Sequence, residues 1–120
     1  MAMTSISRQQ SRLHFQAPID LVRLAANTLG NRDLEIQVLR LFVTQSTGAL
    51  KKLTAETDTG VLHDLVHTLK GSARAVGAGT VAERCEELEQ GLDETGTPDF
   101  SGLFQAVDEA NGYIADLLTD

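Results

Sequence analysis

The residues best able to do chemistry in this chain are concentrated in His67-Thr68-Leu69-Lys70-Gly71-Ser72-Ala73. On an α-helix His63, His67, Lys70, Gly71 and Arg74 fall on one side at spacings of three and four, leaving Leu62, Leu65, Val66, Leu69, Ala73 and Val76 for the other. The imidazole of His67 is therefore expected to face outward. Gly71 lies one turn later, where any side chain would crowd the ring, although glycine inside a helix costs roughly 1 kcal/mol relative to alanine. That cost makes sense where something bulky must approach His67. Lys70, three residues on and aimed at the same spot, implies an anionic visitor. Phosphoryl is the natural candidate. A neutral imidazole has an in-plane lone pair that can attack phosphorus, and an unperturbed pKa near ~6.5 keeps a large share of exposed histidine neutral around pH 7. Transfer depends on alignment and on stabilising charge spread over the equatorial oxygens, so a nucleophile and one cation suffice.

Other constellations are poorer. His63-Asp64-Leu65-Val66-His67 imitates the zinc-hydrolase H-E-x-x-H pattern, but the shorter Asp would have to act as base and no third ligand is evident. Gly77-Ala78-Gly79-Thr80-Val81-Ala82 matches G-x-G-x-x-A without the preceding strand that a nucleotide-binding turn requires. Its glycines read as a helix stop and connector. Cys85 falls on an apolar stripe and reads as packed core.

The elements that must position His67 are helical. At 120 residues the chain suits a single hydrophobic core. Residues 1–17 show no useful periodicity and are read as an irregular extension to a domain spanning 18–120. Pro18-Ile19-Asp20 introduces a short helix from Leu21 to Asn27, ending near Gly30. Asn31 is a good N-cap for a long helix with Leu34, Val38, Leu41, Phe42, Ala49, Leu50 and Leu53 close to the 3.6-residue period. Asp58-Thr59-Gly60 restarts the chain into the His67 helix, which ends around Gly77 and Gly79. Thr80-Val81-Ala82-Glu83 reads as a capping box opening a helix to about Leu92, with Val81, Cys85, Leu88 and Leu92 inside and Glu86, Glu87 and Gln90 mainly outside. Thr97-Pro98 supplies N-cap and first-turn proline for a last helix carrying Leu103, Phe104, Val107, Ala110, Ile114, Leu117 and Leu118. The expected fold is all-α: an antiparallel up-and-down four-helix bundle with a short additional N-terminal helix.

Composition narrows the partners. A formal charge of −7 opposes nucleic-acid binding, which needs a basic surface to replace counterions, and favours a protein partner. A lone cysteine cannot form an internal disulfide, and no apolar run exceeds three residues, so neither a membrane span nor a signal-peptide core is expected. A cytoplasmic monomer is the expectation.

The run Leu65-Val66-His67-Thr68-Leu69-Lys70-Gly71-Ser72-Ala73, followed by Gly77-Ala78, Cys85 and Leu88-Glu89, resembles the histidine-containing phosphotransfer domain family of multistep phosphorelays. The likeness is specific around His67 and extends more loosely from Asn31 to the C-terminus. It implies that His67 carries the phosphoryl group, Lys70 contacts its oxygens and Gly71 leaves room for a receiver domain. It also implies an imidazole-orienting residue on the next helix, often glutamine in the family and here Glu89. The partners implied are a hybrid sensor kinase or its receiver domain, and a response-regulator receiver domain. No cofactor is expected in this chain, and Mg²⁺ is expected in the partner receiver. His63, Val66, Ser72 and Arg74 are expected to meet that partner, with part of the group Val61, Leu65 and Val66 exposed for it. Such a chain is a carrier rather than an enzyme with turnover. Two alternatives stand beside it. One is a helical adaptor that binds a receiver without phosphotransfer. The other is the dimerisation and phosphoacceptor region of a sensor kinase, which usually follows its histidine with an acid and later a proline. Here Thr68 follows, and no proline occurs between Pro18 and Pro98.

Overall fold

The computed structural model describes residues 17–93 and 98–119. Among these residues five helices follow one another: α1 (Leu21–Asn27), α2 (Arg32–Ala55), α3 (Thr59–Val76), α4 (Gly79–Asp93) and α5 (Ser101–Leu118). No strand occurs among the described residues. The first three starts have the same local cause. The side chains of Asp20, Asn31 and Asp58 accept hydrogen bonds from the backbone N–H groups of Arg23, Leu34 and Val61. Each satisfies a donor that the first helical turn leaves without a partner.

The stop of α3 is equally specific. Gly77 adopts φ +81°, and a Cβ there would stand 2.5 Å from the backbone oxygen of Asp20. Only glycine fits, and the Asp20 N–H donates to the Gly77 carbonyl at 2.8 Å. Asn27 adds a bond from its side-chain amide to the Ala75 carbonyl at 3.0 Å. Short α1 is thereby pinned to the end of α3.

Connections of a few residues force α2, α3 and α4 to run antiparallel. Helix α3 packs on α2 and α4, and α5 closes the square by packing on α4 and α2. The core between them is drawn from all four: Phe42 and Leu53, Val66, Leu69 and Ala73, Val81 and Cys85, Leu103, Val107 and Ile114. The result is the expected up-and-down four-helix bundle with one extra N-terminal helix.

Several details differ from the sequence reading. On α2 the buried row is Leu39, Phe42, Ser46 and Leu53, whereas Leu34 and Leu41 are exposed. Leu41 is about 100° around the helix from Phe42, and the row at spacings of three and four passes it by. Helix α4 begins at Gly79, before the proposed capping box, because the Ala78 carbonyl already accepts from the Ala82 N–H at 3.0 Å. Thr80 is thus helical and makes no capping bond to Glu83 among the described residues. Helix α5 begins at Ser101, where Asp99 accepts from the Ser101 N–H at 2.9 Å. Thr97, proposed as its cap, lies outside the described residues, as do residues 1–16 of the N-terminal extension.

Candidate functional site

The site lies where α3 faces α4. Val66 and Leu69 anchor α3 in the core at 0% and 2% exposure, which turns the intervening His67 outward with 65% of its side chain exposed. From α4, Glu89 reaches across so that its Oε2 stands 3.2 Å from His67 Nδ1. A carboxylate oxygen can only accept, so Nδ1 carries the proton and the ring's lone pair sits on Nε2. The same oxygen is 3.8 Å from His63 Nε2. The two imidazoles lie one helical turn apart and nearly parallel, 9° between planes and 6.4 Å between centroids.

Lys70 is placed differently from the expectation. It was read as an outward cation beside His67, but the residue is buried, and its ammonium points at α4. Nζ donates to Glu86 Oε2 at 2.8 Å and stands 2.7 Å from Glu89 Oε1. The second contact is a close charge pair rather than a well-directed hydrogen bond, since Glu89 Oε1 lacks a geometrically acceptable donor. The cause is the period of α3: Leu69, Lys70 and Ala73 all face the seam with α4, where only a paired charge is tolerated. Glu86 and Glu89 together hold the Lys70 ammonium above its ordinary value. Lys70 first, and His67 after it, hold the Glu89 carboxyl below its ordinary value.

The remaining candidates divide. Gly71 is exposed, and an added Cβ would meet nothing within 4 Å, so, against the expectation that any side chain there would crowd the ring, a methyl would not touch His67. Arg74 is also exposed, its Nη2 3.8 Å from Glu86 Oε2. Ser72 is half-buried and donates to Gln45 Oε1 of α2 at 3.3 Å. Val66 is a correction: proposed for partner contact, it is fully buried because it points into the bundle beside Leu62 and Leu69. Val61 is exposed and Leu65 half-buried, so they form the apolar edge on the α2 side. There a groove of about 420 Å³ runs between α2 and α3, lined by Gln45, Gly48, Lys52, Asp64, Leu65 and Thr68 among others.

Glu86 is the site residue that sequence reasoning missed. It was placed mainly outside, and its side chain is indeed 46% exposed. Glu86 and Glu89 are three apart on one face of α4, and that spacing was the only signal in the sequence; the seam-facing lysine opposite them comes from the fold. No group of three or more His, Cys, Asp or Glu side chains is placed to hold a metal among the described residues.

The charge pairs set a pH dependence. Glu89 has a depressed value in the folded chain, so its contribution to stability is present above the ordinary value of 4.5 and is lost as pH falls through the folded value. Lys70 works in the opposite sense, contributing below 10.5 and losing that contribution as pH rises through its raised value. Chemical denaturation of the wild type and of Glu89→Gln at pH 7 and pH 3 measures the acid side. The wild type is expected to lose more stability than the variant across that interval. Equal losses would remove Glu89 from the acid limb.

A family model described as Hpt domain matches residues 37–119. Among curated proteins and among solved structures, no match to the chain is found.

Proposed function

Because the chain belongs to the Hpt domain family, phosphocarriers that exchange phosphoryl groups with kinases and response-regulator receiver domains in phosphorelays, we propose that His67 is its phosphoacceptor. One observation carries the assignment: an imidazole open to solvent, with one nitrogen fixed on Glu89. Nε2 attacks the phosphorus of a receiver's aspartyl phosphate in line with the bond to the leaving oxygen. The Nε2–P bond forms as the P–O bond breaks, and the aspartate carboxylate leaves with the bonding pair. Nδ1 keeps its proton throughout, so the ring becomes an imidazolium whose positive charge faces Glu89. In the return step the ring departs as neutral imidazole, with the proton already in place. Glu89 thus orients the ring in both directions and stabilises the charged intermediate.

The empty surface over Gly71 and the groove beside Leu65 give a receiver room to bring its aspartate to Nε2. His63, Ser72 and Arg74 form the rim of that approach. The direction of flow proposed is from the receiver of a hybrid kinase to His67 and on to a second response regulator. Mg²⁺ is proposed to belong to the receiver, a reading consistent with the glutamates nearest His67 being paired with Lys70. No helix among the described residues is long and apolar enough to cross a membrane. A cytoplasmic monomer is proposed on the acidic, disulfide-free composition.

Incubation with a phosphorylated receiver, and separately with ATP alone, tests this function. Label is expected only from the receiver. Label from ATP alone would favour the kinase alternative, and label from neither would favour an adaptor.

A further inference from the structure

We propose that Glu86 is a positioning residue that keeps Lys70 in reserve: in the free protein it neutralises the lysine, and the site takes up phosphoryl readily once Glu86 lets go. The inference rests on His67 being the phosphoacceptor and adds a restraint that the family match does not assign.

The charges nearest His67 cancel. Lys70 and Arg74 supply two cations, and Glu86 and Glu89 supply two carboxylates within 4 Å of them. A phosphoryl group arriving at Nε2 brings further negative charge to a site whose cations, among the described residues, are already matched by carboxylates. Opening one of these pairs frees a positive charge to meet it.

The two carboxylates are not equally free to move. Glu89 is 13% exposed and holds the imidazole as well as the lysine, so its departure would strand both. The Glu86 side chain is 46% exposed, and its hydrogen bond and ion pairs are to Lys70 and Arg74 rather than to His67. An exposed carboxylate recovers hydration when it leaves an ion pair, and Glu89 stays behind to keep the buried ammonium paired. Glu86 also borders a recess of about 320 Å³ lined by Arg23 and Arg74 together with Asp20 and Glu83, so a released Glu86 carboxylate can stay with Arg74, which it already approaches at 3.8 Å. When it swings there, a Lys70 proton that was donated to Glu86 becomes available to a phosphoryl oxygen, while Glu89 keeps its place against Nδ1. An ammonium has three donors, so Lys70 can serve both.

Phosphoramidate tests this without a receiver. Nε2 attacks its phosphorus, the N–P bond of the reagent breaks, and the already protonated nitrogen leaves as ammonia with the bonding pair. Initial labelling rates are compared for the wild type, Glu86→Gln, Glu87→Gln, Lys70→Ala and the Glu86→Gln/Lys70→Ala double variant, with thermal melts confirming folding. Glu87 is exposed and paired with Arg84, so its variant controls for the change in net charge. Glu86→Gln is expected to label roughly 3–10-fold faster at low salt, with the gain shrinking as salt is raised. Glu87→Gln should match the wild type, and the gain should largely vanish in the Lys70→Ala background. A Glu86→Gln rate at or below wild type overturns the proposal. So does an equal gain in Glu87→Gln, or a gain undiminished without Lys70. The phosphoacceptor reading fails separately, if label persists in His67→Gln.

Discussion

His67→Gln is expected to abolish phosphoryl uptake from a phosphorylated receiver, lowering the initial rate by more than about a thousandfold while the bundle stays folded. The size of the loss follows from removing the nucleophile itself, since an amide side chain has no lone pair basic enough to attack phosphorus. Stability should move little, within about 0.5 kcal/mol for an exposed position. Glutamine can still offer an amide N–H to Glu89, so the Lys70–Glu89 pair is not left against an empty space. His63 makes the comparison informative. Its ring is nearly parallel to that of His67 and within 4 Å of the same Glu89 oxygen, but its Nε2 is the nitrogen turned toward the carboxylate. His63→Gln should therefore retain most of the uptake. Label that survived in His67→Gln and disappeared in His63→Gln would transfer the acceptor role to His63.

Gly71→Leu should separate partner access from chemistry. Nothing lies within 4 Å of a Cβ built at Gly71, and glycine is a poor residue for the middle of a helix. Leucine should thus raise the free protein's stability by several tenths of a kcal/mol to about 1 kcal/mol. The same side chain would stand where the receiver has to close on His67. If the added bulk costs about 1–3 kcal/mol, as overpacking commonly does, transfer from the receiver falls roughly 5–150-fold. Labelling by phosphoramidate should stay near wild type, because a small reagent needs no such clearance. Equal losses in the two assays would mean that leucine disturbs His67 itself. No loss in either would remove the clearance role.

The sequence was most readable where one local cause decides the outcome. Asn31 and Asp58 cap the helices they were expected to open. The outward turn of His67 and the open surface at Gly71 also follow from helical spacing alone. Spacing was less informative at the seam between α3 and α4. Lys70 shares the broad side of α3 that carries His67, but a helix has no sharp edge, and whether a residue there faces water depends on how closely α4 packs. Glu86 supplies the missing half: as an isolated acid it looked like a solvated charge, and only the fold puts it 2.8 Å from Lys70. Val66 failed for the reverse reason. Adjacency to His67 in the chain means about 100° of rotation on a helix, which takes Val66 into the core.

The most direct measurement is nitrogen-15 and phosphorus-31 NMR of the phosphorylated protein. The expected result is phosphorus coupled to Nε2 of His67, with a proton retained on Nδ1 and that proton's signal shifted in Glu89→Gln. Phosphorus on Nδ1, or on either nitrogen of His63, would contradict the arrangement in which Glu89 fixes one side of the His67 ring and leaves the other to react.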